Sequence, residues 1–324
     1  MLEKDIRPEA LFNRYINLSR QDIVKIFSKK KKERIKCPVC RILGKFYFRK
    51  DSFDYEICSK CSSIYNSPRT SADTFIKYYS NSVSAKFWSD IFYKRTSQKR
   101  IKMIWQPKAK LAESFFDKSR SNNLIDIGAG YGLFLDEIKK NTNLKTHAIE
   151  PSGSMANTLN SKGHICINGY VEDLTKKDIP SGNNFFTCFE VLEHVHDPCF
   201  FLKKINSFLK KNEILLLTTL SGTGLDIDVL GKSSKSIQPP YHINFLNPYS
   251  IRLLLEKNNY KVINIQTPGK LDINILENNY SKIRDNFWKI FIKNSSLQEK
   301  KNMQKFLVKN NLSSHMLVVA KKIK

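Results

Sequence analysis

A short glycine-rich segment carries the clearest sign of chemistry in this sequence. It reads DIGAGYG over 126–132, with Gly128, Gly130 and Gly132 set between an apolar run and a helical pattern that begins at Leu133. Glycines at such a junction permit a tight turn and let backbone N–H groups approach a ligand at the helix N-terminus. The third glycine comes one residue earlier than in the GxGxxG fingerprint of dinucleotide sites. The spacing therefore favours a nucleoside that carries an amino acid over a nicotinamide dinucleotide.

An acidic residue at the end of the next apolar run extends this pattern. Glu150 lies in the segment AIEPS over 148–152, 22 residues beyond Gly128. A carboxylate in that position can accept hydrogen bonds from both hydroxyls of a ribose. An acid that merely ends a strand and binds no ligand is the competing interpretation, and the preceding glycine loop argues against it. Ser152 is expected to cap the following helix.

Four cysteines have the spacing of a metal site. Cys37, Cys40, Cys58 and Cys61 form two CxxC pairs that 17 residues separate. Two such pairs at this distance fit one tetrahedral Zn²⁺ held by four thiolates. A site closed by four thiolates leaves no position for water, so the metal is expected to be structural.

The rest of the chain must position these residues, and its periodicity changes near Arg120. Beyond that point short apolar runs alternate with helical patterns, which predicts a parallel sheet covered by helices. Strands are expected at 123–127, 145–150, 164–167, 185–192, 214–220, 261–266 and 315–320. A helical insertion, at about 275–311, separates the last two.

The same patterns divide the chain into four parts. They are an N-terminal helical segment (1–35), a zinc-binding module (36–68), a helical linker or lid (69–118) and the sheet-bearing domain (119–324). The zinc-binding module is too short to bury a core unaided, so we expect a metal ion to hold it together.

The order and spacing of five sequence blocks resemble the class I S-adenosylmethionine-dependent methyltransferases. The blocks are IDIGAGYG, AIEPS, GYVEDL, FEVLEHVHDP and ILLLTTL, within roughly residues 120–265. The resemblance implies an α/β, Rossmann-like fold whose seven-stranded sheet has the order 3-2-1-4-5-7-6, with strand 7 antiparallel. It also implies an enzyme with S-adenosyl-L-methionine as its cofactor.

The resemblance further implies which residues hold this cofactor. Asp126 and the three loop glycines would hold the methionine part, and Glu150 would hold the ribose. Glu190, at the start of the EVLEH text, would also line the cofactor site.

The adenine contact is implied less directly. Glu172 or Asp173, after the third strand, would lie near the adenine. Relatives often carry an acid directly after the glycine of the GYVEDL block, where this chain has Tyr170. The sequence departs from the family pattern at this point.

Removing a proton from a methyl acceptor requires a base, and histidine is the natural one near neutral pH. His194 follows the fourth strand, where open α/β sheets place their ligands, and Glu193 would orient it or a substrate hydroxyl. His194 would otherwise line the cofactor pocket. A second candidate is His242, on a long loop after the fifth strand of the kind that commonly forms a substrate lid.

The cysteine-rich module in front of such a domain resembles the bacterial sugar C-methyltransferases. Those enzymes act on nucleotide-linked sugars or surface-polysaccharide precursors, so a small molecule of that kind is the expected acceptor. Quinone-type O-methyl transfer would use similar EVLEH text. The same features would also suit an RNA base methyltransferase that grips RNA with its zinc module, or a scaffold that binds the cofactor without catalysis.

Composition bears on the choice of partner. The net charge of +25 would attract nucleic acid or another acidic surface. Only 12 of the 55 basic residues are arginine, the residue that binds phosphate and guanine in bidentate fashion, so nucleic acid is not the expected partner. The first residues lack a signal-peptide pattern and no apolar run approaches a membrane span, which predicts a cytoplasmic protein. The oligomeric state is not indicated.

Overall fold

The computed structural model of this chain describes residues 2–116 and 122–324. In these ranges the α-helices are α1 (Glu3–Ile6), α2 (Glu9–Phe27), α3 (Ala72–Asn81), α4 (Val83–Phe87), α5 (Lys94–Arg100), α6 (Gln106–Glu113), α7 (Leu133–Asn141), α8 (Gly153–Ser161), α9 (Pro198–Phe208), α10 (Leu225–Leu230), α11 (Pro248–Lys257), α12 (Asp272–Asn278), α13 (Asn286–Asn294) and α14 (Leu297–Lys309). Two π-helical segments, Trp88–Tyr93 and Ile101–Trp105, flank α5. Among the described helices, none combines the length and the apolar character that crossing a membrane requires.

The strands form two separate sheets. They are β1 (Lys45–Lys50), β2 (Phe53–Ile57), β3 (Ile64–Asn66), β4 (Asn123–Ile127), β5 (Lys145–Ile149), β6 (Ile165–Ile167), β7 (Asn184–Phe189), β8 (Ile214–Leu220), β9 (Asn244–Phe245), β10 (Tyr260–Gln266) and β11 (His315–Lys322). The smaller sheet has the order β1-β2-β3-β9, and the larger has the order β10-β11-β8-β7-β4-β5-β6.

The larger sheet confirms the predicted topology. When its strands are numbered from 1 to 7 along the chain, the order reads 3-2-1-4-5-7-6 from one edge. The pairs β4–β5, β4–β7, β5–β6 and β7–β8 are parallel, and the sheet as a whole is mixed. The chain has the α/β, Rossmann-like fold that the alternation of strands and helices predicts.

The backbone packs into two compact units. One unit, called here the sheet unit, comprises Ser97–Thr219, Arg252–Ile265 and Leu317–Lys324. The other, called the cysteine unit, comprises Met1–Thr96, Leu220–Ile251 and Gln266–Met316. The predicted division into four parts stays a prediction, and its boundary between 118 and 119 lies outside the described residues.

The sheet unit has a continuous apolar core. Every residue of β4 is buried, and Leu124, Ile125 and Ile127 supply its apolar side chains. Helices α6 and α7 contribute to the same core as the strands, through Ala109, Ala112, Phe134, Leu135 and Ile138. These contacts fix the helix that follows the glycine loop and the helix that precedes β4.

The cysteine unit is assembled from distant parts of the chain. Strand β9 pairs antiparallel with β3, which places Phe245 opposite Ile64. One apolar core joins residues of α2, the β1–β2 hairpin, α3 and the segment after β8, including Phe27, Tyr55 and Phe245. The four-cysteine segment therefore shares its core with residues that lie far away in sequence.

Two local features differ from the sequence expectation. The strand predicted at 185–192 ends at Phe189, because Glu190 adopts a left-handed conformation with φ of 56°. Ser152 does occupy the N-cap of α8, but its side chain makes no capping hydrogen bond. Its backbone N–H instead donates to the Glu150 side chain at 2.9 Å.

Candidate functional site

The glycine loop connects β4 to α7 by a backbone path that requires glycine. Gly128, Gly130 and Gly132 have φ of 73°, 56° and 72°, and Gly132 is the N-cap residue of α7. Residues with a Cβ atom rarely adopt this left-handed backbone conformation, whereas glycine does so without a steric penalty. The predicted strand, loop and helix are all present.

The surroundings of the three glycines differ. A Cβ on Gly128 would overlap Val191 Cγ2, and one on Gly132 would lie 2.6 Å from Leu159 Cδ2. A Cβ on Gly130 would meet no atom of the described residues within 4 Å. The loop therefore packs tightly at its two ends and leaves open space in front of Gly130, as a bound ligand requires.

Glu150 follows β5 and reaches directly to this loop. Its Oε2 accepts a hydrogen bond from the Gly130 N–H at 2.8 Å, and its Oε1 accepts one from the Ser152 N–H at 2.9 Å. Burial raises the pKa of the Glu150 carboxyl, and the two backbone hydrogen bonds oppose that rise. An ionised carboxylate has about four acceptor positions, so the two that remain can accept the two hydroxyls of a ribose.

Asp126 lies behind the loop, inside β4. Its Oδ1 accepts a hydrogen bond from the Thr187 hydroxyl on the neighbouring β7 at 2.6 Å. The side chain is buried, and burial raises the pKa of its carboxyl to about 7 despite that bond and the nearby charge of Lys108. The predicted contact of Asp126 with a methionine group stays a prediction.

At the carboxyl end of β7, the turn residue Glu190 contacts Lys108 and Thr218. Glu190 Oε1 accepts hydrogen bonds from Lys108 Nζ at 2.9 Å and from the Thr218 hydroxyl at 2.7 Å. Sequence reasoning identifies Glu190 but misses its two partners. Lys108 stands on α6, in a chain with many lysines, and only the folded structure distinguishes it from the others.

Glu193 lies in the segment between β7 and α9 and is fully buried. Its Oε2 accepts a hydrogen bond from the Thr219 hydroxyl at 2.7 Å. Burial, followed by repulsion from Glu190, raises the pKa of Glu193 to about 8, so the protonated acid predominates at neutral pH. His194 is half-buried next to it, and its backbone N–H donates to the Val191 carbonyl at 2.9 Å.

His242 belongs to the cysteine unit. Its Nδ1 lies 2.6 Å from the Ser236 carbonyl oxygen. Since a carbonyl only accepts, Nδ1 must carry a proton. The Tyr55 hydroxyl donates to the His242 carbonyl at 2.7 Å, which holds the backbone at this point.

The predicted adenine contacts lie on a short 3-10 helix, Val171–Asp173, that follows β6. Glu172 is half-buried, and burial raises the pKa of its carboxyl. Asp173 is exposed. Their role toward an adenine stays a prediction.

The four predicted metal ligands converge in the cysteine unit. The Sγ atoms of Cys37, Cys40, Cys58 and Cys61 all lie within 4.8 Å of one another, and Cys37 Sγ is 3.7 Å from Cys61 Sγ. With Zn–S bonds of about 2.3 Å, a tetrahedral zinc site has sulfur–sulfur edges of about 3.8 Å. The backbone N–H groups of Val39 and Cys40 point at Cys37 Sγ from 3.4 Å, an arrangement that stabilises a thiolate. The donor set and its spacing fit one zinc ion.

The segment around β9 holds this cluster from the other side. The Asn247 side chain donates to the Cys61 carbonyl at 2.8 Å. Arg69 donates to the Asn244 side chain at 3.0 Å and to the Ile243 carbonyl at 3.2 Å. Backbone pairing between β3 and β9 adds to these bonds. The cluster is therefore anchored by residues that the two CxxC pairs do not reveal.

Comparisons with known proteins address the sheet unit most directly. Residues 97–265 match the protein family described as "Methyltransferase domain". None of the curated proteins matches this chain in sequence.

Two solved structures are similar in fold. A chain of the complex between the Haloferax volcanii Trm112 methyltransferase activator and a methyltransferase is 14% identical, with a TM-score of 0.50, and the match covers 73% of this chain and 96% of that one. A geranyl diphosphate methyltransferase in complex with SAM is 12% identical, also with a TM-score of 0.50, and the match covers 71% of this chain and 90% of that one. At these identities the two structures support the fold alone.

Proposed function

Because this chain belongs to the class I S-adenosylmethionine-dependent methyltransferases, we propose that it methylates a nucleotide-linked sugar or a precursor of a surface glycan. The observation that carries the cofactor half of this proposal is the hydrogen bond between the Glu150 carboxylate and the Gly130 N–H. It joins the two sequence signals, the glycine loop and the acid after the second strand of the sheet, into one binding surface.

The residues around the loop fit the parts of the cofactor. Glu150 would accept the ribose hydroxyls through its two remaining acceptor positions, and the open face of Gly130 would receive the amino-acid part. Glu172 or Asp173 would lie near the adenine. When bound, S-adenosylmethionine supplies a methyl group on a positively charged sulfur that a nucleophile can displace.

The chain must also take a proton from the acceptor atom. His194, in the turn after β7, is the first candidate for this base, because this half-buried residue follows a parallel strand at its carboxyl end. Glu193 is protonated near neutral pH, so it would act by donating a hydrogen bond and not as the base. His242 remains the second candidate that the sequence predicts.

The cysteine cluster supports a structural Zn²⁺. Four sulfur ligands complete a tetrahedral site, and such a site has no open position for a reacting water. The metal would stabilise the sheet of β1, β2, β3 and β9, and the methyl transfer would proceed without it.

The acceptor class rests on the cysteine module that precedes the methyltransferase domain, the arrangement of the sugar C-methyltransferases. The test is a panel of nucleotide-linked sugars incubated with the enzyme and methyl-labelled S-adenosylmethionine. We expect label in at least one sugar, and we expect His194→Ala to reduce turnover at least about 100-fold while cofactor binding is kept. Label in a quinone or in RNA, with none in any sugar, would refute the acceptor class.

A further inference from the structure

Lys108 has no role in the sequence motifs, yet it contacts Glu190, a predicted cofactor residue. It stands on α6, and its side chain is only 11% exposed. Its Nζ donates to Glu190 Oε1 and to the Thr218 hydroxyl oxygen, each at 2.9 Å. The Thr218 hydroxyl donates in turn to the same carboxylate oxygen. Three side chains from α6, β8 and the turn after β7 thus close a compact triad.

Aromatic rings hold the ammonium group in place. Lys108 Nζ lies 4.7 Å from the ring centroid of Phe189 and 5.1 Å from that of Trp105. A cation at this distance from a ring is attracted to its face, more strongly when both are removed from water. The rings and the two hydrogen bonds together favour one conformation of a side chain that is otherwise flexible.

The ammonium lies among several acids of the sheet unit. Its positive charge opposes the rise that burial produces in the pKa of both Asp126 and Glu193. It is also the direct partner of Glu190. Lys108 therefore offsets the charge of Glu190 and favours the ionised forms of Asp126 and Glu193.

This group of charges lies next to the glycine loop. Strands β4 and β7 are neighbours, with Ile127 opposite Cys188, so the loop after β4 and the turn after β7 start side by side. Val191 fills the space next to the Gly128 Cα. Since adjacent strands are about 4.8 Å apart, the Glu190–Lys108 pair lies within a few strand spacings of a ligand at the loop.

We propose that Lys108 is a positioning residue that holds Glu190 and sets the charge of the cofactor pocket, and thereby lowers the preference for the sulfonium cofactor over its uncharged thioether product. This inference rests on the proposed function, since it concerns the same pocket. S-adenosylmethionine carries one positive charge more than S-adenosylhomocysteine, so a fixed charge near the sulfur affects the two ligands unequally. At such distances one unit charge changes the ratio of the two affinities by roughly tenfold or more.

The test is a calorimetric measurement of the dissociation constants of both ligands for the full chain and four variants. Lys108→Met removes a positive charge and should shift the preference toward S-adenosylmethionine by about tenfold. Glu190→Gln removes a negative charge and should shift the preference the opposite way by a similar factor. Lys108→Arg keeps the charge and should leave the ratio near that of the wild type.

Lys110→Met is the matched control, because it makes the same change at an exposed position of the same helix. It should not alter the ratio. A purely structural role for Lys108 would weaken both ligands equally, so an unchanged ratio in Lys108→Met would overturn the inference. If Lys108→Met fails to fold, Glu190→Gln decides, and an unchanged ratio there overturns it as well.

The two proposals fail in different ways. A wild-type protein that binds neither ligand would refute the proposed function, and the role of Lys108 would fall with it. A wild-type protein that binds both, with variants that keep the same preference, would refute only the role of Lys108.

Discussion

At the scale of single residues, the site depends on carboxyl groups whose surroundings act differently on their protonation. Burial raises the pKa of Glu150, and hydrogen bonds from two backbone N–H donors oppose that rise. Glu193 is fully buried beside Glu190, and both effects favour its neutral form. The same functional group can therefore bind hydroxyls at one position and donate a hydrogen bond at another.

Replacing Glu150 by Ala should weaken binding of S-adenosylmethionine by roughly 100-fold or more, because two charge-assisted hydrogen bonds to the ribose are lost. Titration calorimetry measures this change. Ser152→Ala is the matched control, since it keeps the backbone N–H that contacts Glu150 and should leave the affinity nearly unchanged. An unaltered affinity in Glu150→Ala would remove this residue from the site.

The buried carboxyl of Asp126 predicts a dependence of stability on pH. Its pKa in the folded protein is about 7, above the ordinary value of 3.8, so its folded form favours the proton. The stability from this proton is fully present below about pH 4 and is lost as the pH rises through 7. Asp126→Asn keeps an acceptor for Thr187 and should abolish this part of the decline, on the order of 2–4 kcal/mol.

Urea unfolding of the ligand-free protein at pH 5 and at pH 8 tests this expectation. The difference between the two free energies of unfolding should be smaller in Asp126→Asn than in the wild type. Asp173→Asn, an exposed change in the same unit, should match the wild type at both values. Equal pH dependence in all three proteins would contradict the expected burial effect.

At the scale of elements, the sequence predicts best what local patterns determine. Strands β4 and β8 have the predicted bounds because each is a run of buried residues with polar or turn residues at its ends. The predicted end of β7 lies too far along the chain, because apolar residues continue past the left-handed turn at Glu190. Strand β9 has only two residues and no periodicity, so only its pairing with β3 reveals it.

The candidate functional residues also fall into two groups, those that the sequence predicts and those that only the structure reveals. The glycine loop, Glu150 and the four cysteines stand out because their spacing along the chain reflects one local structure. Lys108 and Thr218 come from separate elements, and their contact with Glu190 depends on how α6 and β8 pack. A contact between side chains of separate elements cannot be predicted from a single sequence.

Removing the metal should loosen the smaller sheet and spare the larger one. A chelator, or Cys58→Ser, should increase amide hydrogen exchange in β1, β2, β3 and β9, because Cys58 and Cys61 lie between β2 and β3, the two central strands of this sheet. Exchange in β4 and β8 should stay slow. Exchange monitored by mass spectrometry, with zinc measured on the same samples, provides the readout.

Cys199→Ser is the matched control, since Cys199 lies outside the cluster. It should retain one zinc per chain and the exchange pattern of the wild type. A wild-type protein that contains no zinc, or an exchange pattern that a chelator leaves unchanged, would refute the structural metal.

At the scale of the whole molecule, the excess of basic residues calls for a test of its own. With a net charge of +25, the protein should bind RNA at low salt whatever its function. Binding through phosphates alone weakens by roughly a thousandfold or more between about 50 and 200 mM salt. We expect this behaviour, without preference for one RNA sequence, in fluorescence anisotropy measurements across that range. Tight and sequence-selective binding at the upper end of the range would favour an RNA acceptor.

The route of the chain through the cysteine unit has a consequence for synthesis. On the ribosome, β3 emerges long before Phe245, the residue that pairs with Ile64. At roughly 5–20 residues per second, the edge of β3 waits on the order of ten seconds or more for its partner strand. During that time the free strand edge and the unfinished apolar core favour aggregation, so the cysteine unit should be most vulnerable before residues 244–245 are synthesised.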